Sequence, residues 1–145
     1  MEHHLILRVV TKILIGPILL FALYVQFHGD FSAGGGFQAG VIFAVGFILY
    51  GLVFGLRQTQ KVLPVWLVHK LMALGVLIYV GAGMISLFLG RNFLDYSVLA
   101  HEAQHGQHYG IFLVELGVGI TVSAVMINIF YTFAGRHPRI SDEDW

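Results

Sequence analysis

The sequence predicts an all-α integral membrane protein with four transmembrane helices and both termini in the cytoplasm. Three observations lead there. Of 145 residues, 57% are hydrophobic and 11% charged, far from the profile of a soluble domain. The apolar residues gather into four runs, about 5–27, 37–56, 65–89 and 109–134, and a helix of ~20 residues spans a ~30 Å hydrocarbon core. Arg8, Lys12, Arg57, Lys61, Lys70, Arg136 and Arg139 fall at the N-terminus, the second connection and the C-terminus, against Arg91 alone on the other side. Basic residues mark the cytoplasmic face. The chain therefore reads as a single membrane domain, residues 1–145, with a cytoplasmic tail over 135–145.

In the first run Arg8 and Lys12 leave only Ile13 to Phe27 uncharged. That is short for a span, so Lys12 must snorkel to the nearer interface. Ser32-Ala33-Gly34 offers small residues for signal-peptide cleavage, but three more apolar runs follow, which favours an uncleaved helix. Pro17 is expected to kink this helix rather than end it. In the second run Gly36, Gly40 and Ala44 recur at four-residue spacing, and Gly51 and Gly55 repeat it. Small residues so spaced let a second helix approach closely. The third run follows Pro64, tolerated in a first turn, and carries His69 and Lys70. The fourth contains Glu115 as its one formally charged residue.

An intramembrane carboxylate marks a functional site or a fixed pairing. At ~1.5 Å per residue Glu115 lies about 9 Å below Tyr109, in the outer third of the membrane. Lys12 and Lys70 are then at the wrong depth to pair with it. Gln38, the positive N-terminal end of the second helix and His108 are nearer. Along the fourth helix Glu115, Gly119, Val122 and Met126 share one face, with Gly117, Thr121, Ala124 and Asn128 roughly opposite. Such a helix is expected to be enclosed by partners beyond its own chain. His69 and Lys70 read either as snorkelling groups or as an inner-side proton relay.

The first outward loop runs His28-Gly29-Asp30-Phe31-Ser32-Ala33-Gly34-Gly35-Gly36-Phe37-Gln38-Ala39-Gly40. Its glycines suggest a tightly packed or re-entrant turn, most simply against a neighbouring subunit. A phosphate cradle is disfavoured by the missing Gly-Lys-Ser/Thr ending. His101-Glu102-Ala103-Gln104-His105 is a literal zinc-peptidase spacing followed by His108. A short loop without a substrate cleft argues against catalysis, and no metal is expected. His101, His105 and His108 would be the ligands of any adventitious zinc, or a cluster sensitive to external pH. With no cysteine and zero formal net charge, thiol chemistry and a basic field for nucleic acid are excluded.

His28-Gly29, the triplet Gly34-Gly35-Gly36, Phe37-Gln38 and Gly40 resemble the signature of the MrpB/MnhB family, whose members belong to Mrp-type (Mnh) multisubunit cation/proton antiporters. Gly110 followed by Leu113-Val114-Glu115-Leu116-Gly117-Val118-Gly119-Ile120-Thr121-Val122 is similar to that family's last-helix motif. The resemblance covers Leu5 to Gly135. It implies a non-enzymatic subunit without cofactors in a prokaryotic cell (inner) membrane. Its partners would be large complex-I-like antiporter subunits, several small membrane subunits, the lipid bilayer, Na+ and H+. A related membrane subunit of gas-evolving hydrogenases and a stand-alone four-helix exporter are the alternatives. Glu115, Lys70, His69 and Asp30 are the ion- or proton-pathway candidates. His28, Gly29, Gly34, Gly35, Gly36, Phe37, Gln38, Gly40, Gly117 and Gly119 would be motif positions that support structure.

Overall fold

The computed structural model describes residues 3–29, 34–96 and 103–136, without the side chains of 3, 4 and 103–105. Every regular element among them is an α-helix: α1 (His3–Phe27), α2 (Gly36–Phe54), α3 (Leu56–Val62), α4 (Val65–Phe88) and α5 (Ala103–Ala134). Four of these are long and apolar enough to cross a membrane, over Leu5–Phe27, Gly36–Phe54, Val65–Phe88 and Gly106–Ala134. Leu20, Leu52 and Leu77 are each more than two-thirds exposed, which is favourable only against hydrocarbon or another protein. The long helices pack in the order α1–α2–α5–α4, with α1 only grazing α5.

Each boundary has a local cause. α1 continues past Pro17 without ending, as membrane helices tolerate proline. α2 starts after Gly35 and stops at Gly55, whose φ of 92° lies in the region that favours glycine. A Cβ on Gly55 would meet nothing within 4 Å. Gly55 therefore does not extend the helix-packing stripe predicted for it; it turns the chain into α3. Thr59, fully buried in α3, donates to the Gly55 carbonyl at 3.2 Å. α4 begins after Pro64, whose ring suits the edge of a first turn. α5 starts six residues earlier than its apolar run, at Ala103.

Small residues set the interhelical distances. Gly36, Gly40 and Ala44 are buried along α2, as their spacing predicts. A Cβ on Gly40 would lie 2.6 Å from the Gly119 carbonyl oxygen, and one on Gly119 3.1 Å from that of Gly36. On the other flank of α5, a Cβ on Gly117 would lie 2.8 Å from the Gly75 oxygen, and one on Gly75 2.6 Å from that of Gly117. Backbone meets backbone at both crossings, the arrangement small residues permit in a bilayer. The two faces of α5 seen in the sequence are thus covered by α2 and α4 of the same chain. The expectation that only other subunits could enclose α5 is corrected on these two flanks.

Towards the basic end Ala44, Val68, Ala124, Ile127 and Tyr131 form the core, joined by Phe47, Ile48 and Leu71. The Tyr131 hydroxyl donates to the Leu63 carbonyl at 2.8 Å and pins α5 to the α3–α4 turn. Tyr131→Phe keeps the ring and orphans that carbonyl. It should lower stability by about 1 kcal/mol, read as an earlier thermal transition of the detergent-solubilised protein. At the opposite end, the Phe93 ring lies where a Cβ on Gly83 would be, and the Tyr96 ring where one on Gly110 would be. Burial, then the neighbouring Tyr79, pushes the Tyr96 phenol above its ordinary value, so it packs as a neutral ring.

Candidate functional site

The centre of interest lies where the turn after α1, the start of α2 and the middle of α5 meet. Three residues before Glu115, Phe112 stacks on Phe27 with centroids 5.7 Å apart, which draws the end of α1 against α5. Glu115 then reaches into a space that only glycine leaves open. A Cβ on Gly29 would fall on Glu115 Oε2, and one on Gly35 would lie 2.5 Å from Oε1. A Cβ on Gly36 would coincide with the Glu115 backbone carbonyl. At Gly36 the opposing helix backbone cannot retreat cheaply, and the carboxylate lies directly against Gly29 and Gly35, so the three glycines form a cradle.

The cradle has a favourable field. Gly35 is the N-cap of α2, with an extended backbone and no side-chain cap. The first turn of a helix presents unsatisfied N–H groups and the positive end of its dipole, which favour a negative charge. Gln38, four residues after Gly34, folds back so that a Cβ on Gly34 would lie 2.6 Å from its Oε1. Gly34, Gly35, Gln38, Val114, Glu115 and Val118 line an open groove of about 470 Å³. Glu115 is half-buried in this groove.

The comparisons with known proteins bear on these same residues. A family model described as "Domain related to MnhB subunit of Na+/H+ antiporter" matches residues 6–128, from the first turns of α1 to within two turns of the end of α5. The chain belongs to the MnhB family. Family relatives include proteins named "Putative antiporter subunit mnhB2" from three staphylococci. The Staphylococcus epidermidis protein is 35% identical over 137 residues, covering 92% of this chain and 96% of the relative. The Staphylococcus haemolyticus and Staphylococcus aureus proteins are 36% and 34% identical over the same shares. In this MnhB-family chain the two sequence motifs, far apart in the sequence, prove to be the two halves of one cradle.

The other predicted site residues divide by position. His28 stacks on Tyr24, with centroids 4.3 Å apart, and continues the turn that leads to Gly29. Phe37 is exposed and helps to line the Glu115 groove. Gly117 and Gly119 serve the α4 and α2 crossings described above. His69 and Lys70 lie at the other end of the bundle, and His69 Nε2 is 3.1 Å from Asn128 Oδ1. With the ring proton on Nε2 this is a donated hydrogen bond. Asn128 is thirteen residues from Glu115, about 20 Å along α5, so His69 and Glu115 belong to separate sites. Lys70 lies over the Trp66 ring, with Nζ 4.8 Å from its centroid, and is exposed. Asp30, His101 and the side chain of His105 fall outside the described residues. The turn of α1–α2 packs on its own α5, where a neighbouring subunit had been the simplest expectation.

One residue was missed by reasoning from the sequence. Gln26, in the last turn of α1, is 6% exposed, and its Oε1 would lie 2.5 Å from a Cβ on Gly119. Its only signal is a lone carboxamide in an otherwise apolar stretch, one turn before Gly29.

Proposed function

We propose that this chain is a four-helix membrane subunit of a multisubunit Na+/H+ antiporter, in which Glu115 takes part in moving ions. The observation that carries this reading is the carboxylate held among Gly29, Gly35 and Gly36 at the positive end of α2. An acid in a spanning segment is costly, and a purely structural pairing would not need a cradle open to a groove. Exchange of Na+ for H+ requires a group that alternates between a proton and a cation or an open charge. A carboxylate does this without making or breaking other covalent bonds, so the role is non-enzymatic.

In this reading the basic end faces the cytoplasm and Glu115 lies towards the outside of a prokaryotic cell membrane. Large complex-I-like antiporter subunits and small membrane subunits would cover the apolar surface left by α1 and α4. A stand-alone exporter is disfavoured because α1 contains no acidic residue. Purification in mild detergent should bring down further membrane subunits. Recovery of a lone chain that exchanges Na+ for H+ after reconstitution would overturn the proposal.

The His69–Asn128 pair is proposed as a polar station at the cytoplasmic end. His69→Gln keeps a donor for Asn128 Oδ1 and removes the imidazole. It should leave the complex assembled and lower Na+-dependent proton flux less than changes at Glu115. Unchanged flux would make the pair structural only.

A further inference from the structure

Between α1, α2 and α5, along the stretch of α5 that follows Glu115, lies a cleft of about 170 Å³. Its walls include Gln26, Gly40, Phe43, Leu116, Gly119 and Ser123. Among the described residues, Gln26 Nε2 is the buried side-chain nitrogen or oxygen that finds no hydrogen-bond partner. Leaving such a donor unsatisfied in an apolar setting is unfavourable. Helix α1 keeps the glutamine there nonetheless, in a chain where leucine would fill the same volume.

The opposite wall supplies the complement. Ser123 donates its hydroxyl proton to the Ile120 carbonyl at 3.0 Å. That direction of donation leaves the lone pairs of Ser123 Oγ to accept. A water molecule accepting from Gln26 Nε2 and donating to Ser123 Oγ would satisfy both side chains. Rotating the carboxamide by half a turn presents an acceptor instead, and a water serves that orientation as well. The cleft has room for a water held between these two side chains.

Position gives the water a use. In the antiparallel pairing of α1 with α5, Gly29 meets Glu115 and Gln26 meets Gly119. Gly119 is four residues from Glu115, one helical turn or about 6 Å. We propose that Gln26 and Ser123 hold a buried hydration site that gives Glu115 its hydrogen-bonded connection towards the middle of the membrane. This rests on the ion-handling role of Glu115, and the experiment separates the two claims.

The chain has no cysteine, so Ser123→Cys introduces its sole thiol into the assembled complex. Reaction with methyl methanethiosulfonate requires the thiolate, and hence water at the sulfur. The thiol of Ser123→Cys should be modified at least about tenfold faster than that of Val125→Cys, at an exposed position facing the bilayer, read by mass spectrometry of this chain. Adding Gln26→Leu should remove the difference. A Ser123→Cys thiol that reacts no faster than the Val125→Cys thiol, or equally fast with and without Gln26→Leu, overturns the hydration site.

Flux supplies the second arm. Gln26→Leu should lower Na+-dependent proton exchange, and Gln26→Leu with Glu115→Gln should be no worse than Glu115→Gln alone, as for residues on one path. Additive losses would mean that Gln26 acts elsewhere, and would overturn the connection to Glu115. If Gln26→Leu prevents assembly, Gln26→Met takes its place in both arms, since its flexible chain fills the same space without a donor. Failure of the ion-handling reading shows differently: Glu115→Gln would retain full flux while the labelling still decides hydration.

Discussion

Gly36→Ala is expected to abolish or sharply reduce the assembled protein. The new methyl group would occupy the position of the Glu115 backbone carbonyl, and a helix backbone does not yield as a flexible side chain does. To make room α2 must move away from α5. That motion also opens the Gly40–Gly119 contact one turn further along, where the backbones meet at 2.6 Å from the Cβ position. Overpacking of this kind costs about 1–3 kcal/mol, occasionally more, and the damage would spread because both contacts share one crossing. The check is the amount of chain recovered in the membrane fraction and its thermal transition in detergent. Gly16→Ala serves as control, since a Cβ there would meet nothing within 4 Å, and it should behave as wild type.

Glu115→Gln is expected to give the opposite pattern: a normal amount of complex with little exchange. Glutamine has nearly the same shape, fits among Gly29, Gly35 and Gly36, and keeps an acceptor oxygen towards the α2 N-terminus. It loses the capacity to hold a negative charge or release a proton. If protons or cations pass through this position, flux should fall by about tenfold or more, equivalent to about 1.4 kcal/mol of barrier. Cells that depend on the antiporter should lose Na+ resistance in step. Loss of the complex itself would instead assign Glu115 to a fixed charge pairing that holds the assembly together.

The parts of this architecture that a bilayer dictates were legible in the sequence, and the parts set by close approach were less so. The four spans announce themselves because hydrocarbon demands an uninterrupted apolar length. Helix α3 did not, since its seven residues Leu56–Val62 are largely polar and are held by the packing of Thr59 under the Gly55 turn. The early start of α5 was hidden for a related reason: residues 103–108 are rich in histidine and glutamine, which form helix without signalling a span. Gly36 and Gly40 could be read as a packing stripe from spacing alone. Gly55 fits the same spacing but terminates α2, a difference decided by its positive φ.

The site was legible in halves. Glu115 stands out by cost, and the glycine triplet by frequency, but nothing in a linear pattern states that one cradles the other. Reasoning by depth ranks the N-terminus of α2 among the groups near Glu115, which the fold supports. The same reasoning seeks the remaining enclosure in other subunits, because ordinary side-chain volumes leave four helices too few to surround α5. Backbone contact through Gly40, Gly75, Gly117 and Gly119 makes the bundle tighter than those volumes suggest. Gln26 escaped notice because a single carboxamide hardly alters the hydropathy of a long apolar run.

The proposed role of Glu115 depends on its ionisable oxygen rather than on the space it fills. Na+-driven proton exchange in inverted membrane vesicles, normalised to the amount of complex, tests this for Glu115→Gln beside Glu115→Asp. Retained exchange with aspartate and about tenfold less with glutamine, at equal complex levels, is the expected result. Glutamine vesicles that exchange as fast as wild type would contradict it.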